Sequence, residues 1–119
     1  MEKALQITFR HLERSQSMED DIRRHADQLE QYFDGIIGCR VVVEARHRHH
    51  RHGNHYHVRV DVAVPGAALV ASREPDEHNA HTDAYVAIRD AFDAMGRQLE
   101  DFARRHDHRG KAHDATEAP

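Results

Sequence analysis

The residues best equipped for chemistry lie in one stretch, Arg46-His47-Arg48-His49-His50-Arg51-His52-Gly53-Asn54-His55-Tyr56-His57, which holds six of the thirteen histidines. From Arg40 to Arg59 five arginines stand against the single carboxylate Glu44, a local net charge of +4 with every imidazole neutral. Two chemistries suit this composition. Arginine forks hold phosphate oxygens with two donors at once, and neighbouring imidazoles add donors or stack on exposed bases. Alternatively, His-x-His spacing on a strand puts both rings on one face, so His50, His52, His55 and His57 would offer four nitrogens to zinc or nickel. Repulsion from the arginines opposes a dication there, and the sequence positions no carboxylate to orient the rings. A charged hairpin tip that is simply solvated is the plain alternative to both.

Which side chains meet depends on the turn. Gly53-Asn54 has the composition of a two-residue hairpin turn, glycine taking the positive φ of the first central position. That turn predicts His52 opposite His55, His50 opposite His57 and Arg48 opposite Arg59, with all six side chains on the outward face.

The strands that carry this hairpin are legible from alternation. Tyr56, Val58, Val60, Val62 and Val64 alternate with His57, Arg59, Asp61 and Ala63, and Cys39, Val41, Val43 and Ala45 alternate with Arg40, Val42, Glu44 and Arg46, the period of two of half-buried strands. Leu5, Ile7 and Phe9 mark another strand over Ala4 to Arg10, and Pro65-Gly66 turns the chain into a fourth from Ala67 to Arg73. Ser17 followed by Asp20 reads as a capped helix start, with Ile22, Ala26, Leu29 and Phe33 on one face as far as about Asp34. After a polar connector from Pro75 to Ala80, Thr82 or Asp83 caps a second helix whose apolar positions are Ile88, Ala91, Phe92, Met95, Leu99 and Phe102. Along its exposed side Arg89, Asp93, Arg97 and Asp101 follow at i+4, and Glu100 with Arg104 and Asp101 with Arg105 do likewise, a spacing for weak salt bridges. Beyond Arg109 the apolar periodicity stops, so residues 110–119 are expected to be a mobile tail to a single domain over 1–109.

The order β-α-β-β-β-α predicts an α+β fold. The right-handed crossover rule makes strands one and two parallel, strands two to four form an antiparallel meander, and both helices cover one face of the sheet. The inward set is then Leu5, Ile7, Phe9, Val41, Val43, Val58, Val60, Val62, Val64 and Leu69, and the opposite face is polar.

Composition sets the limits. The chain has 119 residues and a mass of 13.7 kDa with a mean hydropathy of -0.87, enough for one small domain with a thin core. Its 17 Lys and Arg against 21 Asp and Glu give a net charge of -4, so a polyanion site has to be a local patch. The single cysteine, Cys39, excludes a disulfide scaffold and suits a reducing compartment. There is no run of about 18 apolar residues and no basic-apolar leader, so a cytoplasmic protein is expected. Enzyme signatures are missing. No glycine-rich phosphate loop, nucleophile elbow or HExxH occurs, and Cys39 is predicted inside a strand, where burial blunts a thiol. His11 and His25 fall at packing margins.

The segment Asp83-Ala84-Tyr85-Val86-Ala87-Ile88, followed by Arg97-Gln98-Leu99, resembles the ribosome hibernation promoting factors, also called ribosome-associated inhibitors or sigma-54 modulation proteins, whose second helix opens on Asp-x-Tyr-x-Ala-Ile and later carries Arg-Gln-Leu. Leu29-Glu30-Gln31-Tyr32-Phe33-Asp34 is similar to the family's Lys-Leu-Glu-x-Tyr-Phe-Asp element, with Gln28 where a lysine is common. The resemblance covers about residues 4 to 106. It implies a four-stranded sheet with two helices, similar to double-stranded RNA-binding domains. It also implies a protein that binds rather than catalyses, needs no cofactor, and blocks translation in starvation or stationary phase from the decoding region of the small ribosomal subunit.

Carried over by position, Arg97 matches the Arg-Gln-Leu arginine, while Arg104, Arg105 and Arg109 fall in the basic end of helix two. With Arg89 and the hairpin arginines Arg46, Arg48, Arg51 and Arg59, they form the expected RNA-binding set. Asp83 and Tyr85 match the helix start, where capping and packing account for them. The implied partners are the small subunit and its rRNA, together with a separate ribosome modulation factor in one short-form mode; neither DNA nor membrane is implied. Long members carry a second, ribosome-pairing domain for which 119 residues leave no room, so a short form is expected. The sequence departs from the family at Ala94, Glu100 and Asp101, where basic or neutral residues are usual, and the arginine-rich hairpin is expected to compensate.

Overall fold

A computed structural model describes residues 4–47, 54–73 and 83–117, the side chains of residues 47, 54, 73 and 106–117 excepted. The four alternating segments form β1 (Ala4–Arg10), β2 (Gly38–His47), β3 (Asn54–Val64) and β4 (Ala67–Arg73) in one sheet of order β1-β2-β3-β4. β1 runs parallel to β2, and the other two pairs are antiparallel, as the crossover rule and the meander require. Pro65-Gly66 makes the tight β3–β4 turn: Val64 pairs with Ala67, and Gly66 sits at φ 80, which glycine adopts without the Cβ clash other residues incur.

Two helices cover one side of this sheet. α1 (Gln16–Gln28) begins at Ser15, whose Oγ accepts from the Met18 N–H at 3.2 Å; the cap is therefore two residues earlier than the Ser17 expected from the sequence. The α-helix also stops before Asp34. It tightens into a 3-10 turn over Leu29–Gln31, where the Tyr32 N–H reaches the Leu29 carbonyl at 3.0 Å. The tightening keeps Leu29 in the core and turns Tyr32 onto the second helix, where its ring lies against Gly96.

That second helix, α2 (Ala84–Glu117), is capped by Asp83, whose Oδ1 accepts from the Tyr85 N–H at 2.9 Å. Ile88, Ala91, Phe92, Met95, Leu99 and Phe102 are all buried against the sheet and α1. The backbone stays helical to Glu117, past Arg109 where a tail was expected to begin. The end of apolar periodicity marks the end of the packed face rather than of the helix. Thr82 and the connector over 75–80 lie outside the described residues.

The core is the sandwich between sheet and helices. Val41, Val43, Val58 and Val60 from the two central strands are fully buried with Ile22, Ala87, Ile88 and Leu99. Each large aliphatic side chain so buried contributes about 1.5–3 kcal/mol. Leu5, Ile7, Phe9 and Leu69 on the outer strands are partly buried at its margin, so the inward set read from alternation is the inward set found. Cys39 is buried among them. No helix among the described residues is long and apolar enough to cross a membrane.

Candidate nucleic-acid interface

With the helices on one side, β-alternation sends the other half of each strand to an uncovered face. Cross-strand pairing arranges it in rows. Gln6, Arg40, Asp61 and Val70 form one row, Thr8, Val42, Arg59 and Ser72 the next, then Arg10, Glu44 and His57, and finally Arg46 opposite His55.

This register corrects the expected hairpin. Arg46 faces His55 and Glu44 faces His57, so Arg59 lies opposite Val42 rather than Arg48. Asn54 belongs to β3 and pairs with His47, which excludes a two-residue turn at Gly53-Asn54. The pairing is decided further down the strands, where Cys39, Val41 and Val43 lie opposite Val62, Val60 and Val58. The two-residue turn would have set Val41 opposite Gly66, leaving the start of β2 against the β3–β4 turn. Arg48, Arg51, His50 and His52 lie outside the described residues. The four-histidine arrangement rested on the register that does not form, and no group of three metal-ligating side chains occurs among the described residues.

What does form is a polar network around His57. Its Nδ1 is 3.3 Å from an Arg46 terminal nitrogen and 3.7 Å from Glu44 Oε1, and its Nε2 is 2.8 Å from Ser72 Oγ. Arg46 Nε donates to Glu44 Oε1 at 3.2 Å. Glu44 is thus a carboxylate beside the His57 ring that sequence reasoning did not find, because only the pairing of β2 with β3 brings it there. His11, held at φ 61 just after β1, approaches Glu44 Oε2 to 3.8 Å from the other side. Partial desolvation works against ionisation of Glu44, but the hydrogen bond and charge of Arg46, aided by His57 and His11, outweigh it and hold the carboxyl below its usual range. His55 is buried, with 7% of its surface exposed, and its Nδ1 has no hydrogen-bond partner among the described residues.

The arginines of this face differ in how they are engaged. Arg59 Nε donates to Asp61 at 3.0 Å, and Arg40 Nε donates to the neutral amide of Gln6 at 3.3 Å. Arg10 and Arg40 have no carboxylate partner among the described residues. Counting the described residues of the open face, Arg10, Arg40, Arg46 and Arg59 stand against Glu44 and Asp61, net +2.

The remaining expected residues lie on the opposite side of the molecule, along the outer surface of α2. Arg89 pairs with Asp90 at 3.1 Å, and Arg104 and Arg105 both reach Asp101, at 3.7 and 2.8 Å. The Asp101–Arg105 pair matches the expected spacing, whereas Arg104 takes Asp101 rather than Glu100. Arg97 is exposed and has no ion pair among the described residues. The Arg109 backbone is helical and its side chain is outside the description. From Ala84 to Arg105 the helix carries four arginines and four carboxylates, net zero. α1 adds Arg23 and Arg24 against Glu19, Asp20, Asp21 and Asp27, net -2. Among the described residues the expected arginines are therefore not gathered into one patch but divided between two faces of different charge.

His25 is an interface residue rather than a surface one. Its ring stacks on Phe92 with centroids 5.4 Å apart and planes 14° apart, and burial between the helices lowers its pKa, with Asp21 opposing that shift.

Known proteins share this arrangement. Residues 5–107 match the family described as Sigma 54 modulation protein / S30EA ribosomal protein. A ribosome hibernation promotion factor of Deinococcus radiodurans is 32% identical over 102 residues, spanning 85% of this chain and 49% of that protein. The ribosome hibernation promoting factor of Pseudomonas putida is 27% identical over 94 residues, 79% of this chain and 80% of the relative. The chain thus spans about half the length of the first relative and most of the second. Among solved structures, the N-terminal domain of Thermus thermophilus Protein Y superposes with a TM-score of 0.68 at 21% identity, covering 84% of this chain and 98% of that one. A ribosomal subunit interface protein from Coxiella burnetii gives 0.67 at 15%, covering 85% and 98%; both share the fold. A match that runs from the first strand through the packed length of α2 takes in every element of the fold, and the chain belongs to the Sigma 54 modulation protein / S30EA ribosomal protein family.

Proposed function

We propose that this protein is a ribosome-binding translation inhibitor, a cytoplasmic binding protein without a cofactor that promotes ribosome hibernation under stress or in stationary phase. The observation that carries the reading is the family match over residues 5–107 together with relatives named as hibernation promoting factors. The finer reading places it in the decoding region of the small subunit, where it holds rRNA phosphates and excludes mRNA and tRNA. Arg46, Arg48, Arg51 and Arg59, with Arg89, Arg97, Arg104, Arg105 and Arg109, are the residues proposed to make those contacts. Action with a separate modulation factor, to pair ribosomes, belongs to the same proposal.

The charge pattern suits a polyanion held largely through phosphates, so affinity should fall steeply with salt. The test is co-sedimentation of the 119-residue chain with ribosomes and separated subunits over a salt series, with mRNA and initiator tRNA as competitors. Salt-labile binding to the small subunit that mRNA and tRNA displace is the expected result. Binding only to the large subunit, or binding that neither competitor displaces, would overturn the decoding-region reading.

A further inference from the structure

We propose that His57 is a proton-operated switch on Arg46: the neutral ring holds the guanidinium through Nδ1, and the protonated ring gives that nitrogen to Glu44 and lets the arginine go, free to take an anion. The argument starts from donors and acceptors. A guanidinium has donors only, so the 3.3 Å bond between the Arg46 terminal nitrogen and His57 Nδ1 requires that Nδ1 carry no proton and accept. The ring proton then sits on Nε2, which donates to Ser72 Oγ at 2.8 Å. His57 is thereby assigned as the neutral Nε2–H tautomer, set by the bonds its two nitrogens make. Arg46 bridges the pair, its Nε donating to Glu44 Oε1 at 3.2 Å while its terminal nitrogen holds the ring.

Uptake of one proton from solvent at Nδ1 reverses the role of that atom. It no longer accepts from Arg46, and as a donor it has Glu44 Oε1 within reach, 3.7 Å away. Glu44 is held below its usual range and so stays ionised throughout the interval in which imidazoles gain their charge. Imidazolium and guanidinium then share one carboxylate oxygen. The ring is tethered by Ser72 and only 15% exposed, whereas Arg46 is 44% exposed on a flexible stem. Attraction is stronger where less water intervenes, so the ring keeps Glu44 and Arg46 swings out. The other groups facing the ring set the balance. Arg59 and His55 flank it on β3, Arg10 lies in its row on β1, and β4 supplies the Ser72 hydroxyl. These arginines oppose protonation and Glu44 favours it; Arg59 is partly neutralised by Asp61 at 3.0 Å. His11, at φ 61, approaches the second oxygen of Glu44 to 3.8 Å, so it does not compete for Oε1. Mild acidification therefore adds one positive charge at His57 and releases a guanidinium beside it.

The switch is internal to the chain, and its first test needs no partner. In side-chain nitrogen NMR of the full chain, His57 should show the Nε2–H tautomer at about pH 8, and the Arg46 side-chain signals should move with the same midpoint as the His57 ring as the pH falls to about 5.5. In His57→Gln the amide still accepts from Arg46 and donates to Ser72 but does not titrate, so that movement of Arg46 should vanish. An Nδ1–H tautomer at high pH, Arg46 signals that do not follow the ring, or an unaltered Arg46 titration in His57→Gln overturns the proposal. Should His57→Gln not fold, the tautomer and the coincidence of the two titrations in the parent chain decide it. The use of the released arginine rests on the ribosome-binding reading. On purified small ribosomal subunits, a change from about pH 7.5 to about pH 6 should steepen the slope of log affinity against log salt by about one more in the parent chain than in His57→Gln, as Arg46 takes one further phosphate. Equal changes in the two chains overturn that use. A parent chain that fails to bind small subunits at low salt removes the ribosome reading, and the NMR titration still decides the switch.

Discussion

Ser17 Oγ and Tyr85 Oη lie 2.7 Å apart, tying the first turn of α1 to the first turn of α2 across 68 residues of chain. The bond gives the Asp83-x-Tyr85 element a physical role: Asp83 caps α2, and Tyr85, two residues on, fixes where that cap sits relative to α1. Tyr85→Phe is expected to cost about 0.5–1 kcal/mol, the lower part of the hydrogen-bond range, because Tyr85 is 40% exposed and water competes for the hydroxyl. In denaturant unfolding, Ser17→Ala and Tyr85→Phe should cost similar amounts, and the double variant little more than either. Additive losses would show that the two hydroxyls do not meet in solution.

The position of the α1 cap yields a second expectation. Since Ser15, not Ser17, accepts the Met18 N–H, Ser15→Ala should remove about 1 kcal/mol of stability, and Ser15→Asp should restore it. Circular-dichroism melts of the two variants measure this. Equal melting temperatures for Ser15→Ala and the parent chain would place the cap elsewhere.

Gly96 sits in the middle of α2, where glycine costs about 0.8–1 kcal/mol relative to alanine. A Cβ there would lie 3.0 Å from Cε2 and 3.2 Å from Cζ of Tyr32, closer than unstrained contact allows. The exposed Tyr32 ring is able to shift at the expense of its packing, so Gly96→Ala should be near neutral in the parent chain. With Tyr32→Ala already in place, Gly96→Ala should instead stabilise by about 0.8–1 kcal/mol. A double-mutant cycle by urea unfolding reads the difference; the same effect in both backgrounds would mean that the ring does not press on Gly96.

His25 links stability to pH. Burial at the α1–α2 interface is the main cause of its lowered pKa; Arg24 and Arg89 push the same way, and Asp21 and Asp93 oppose them. The unfolded chain takes up the proton near the ordinary value of 6.5, which the folded chain resists. The stabilising contribution is thus complete above that value and is lost as pH falls through it toward the lower folded pKa. His25→Phe keeps a ring on Phe92 and removes the titration. Between about pH 7.5 and about pH 5, the variant should gain stability relative to the parent chain. A constant difference across that range would show that His25 is protonated as easily folded as unfolded.

The elements themselves were written in local chemistry. β1 and β4 begin and end where alternation and the Pro65-Gly66 turn place them, and the buried face of α2 is the one its apolar spacing marks. Such features depend on neighbours within a few residues, on side-chain period, backbone φ and capping, and so survive any rearrangement of the rest. Family resemblance added what local chemistry does not hold, namely the expectation of a ribosomal partner.

Tertiary structure decided the rest, and the hairpin shows why. His55 opposite His52 and His55 opposite Arg46 differ by six residues, an even slip, so both registers send the same side chains inward and alternation does not separate them. The choice is made by matching the buried valines of β2 and β3 while β1 and β4 hold those strands from outside. The α1 cap falls on Ser15 because the backbone turns helical at Gln16, which leaves Ser17 inside the first turn with its hydroxyl at Tyr85. The sequence by itself determined which residues are strand, helix, core and charge. Which charges share a surface was settled only when the sheet and helices packed, because a polar residue has no local pattern that tells it what will lie across the next strand.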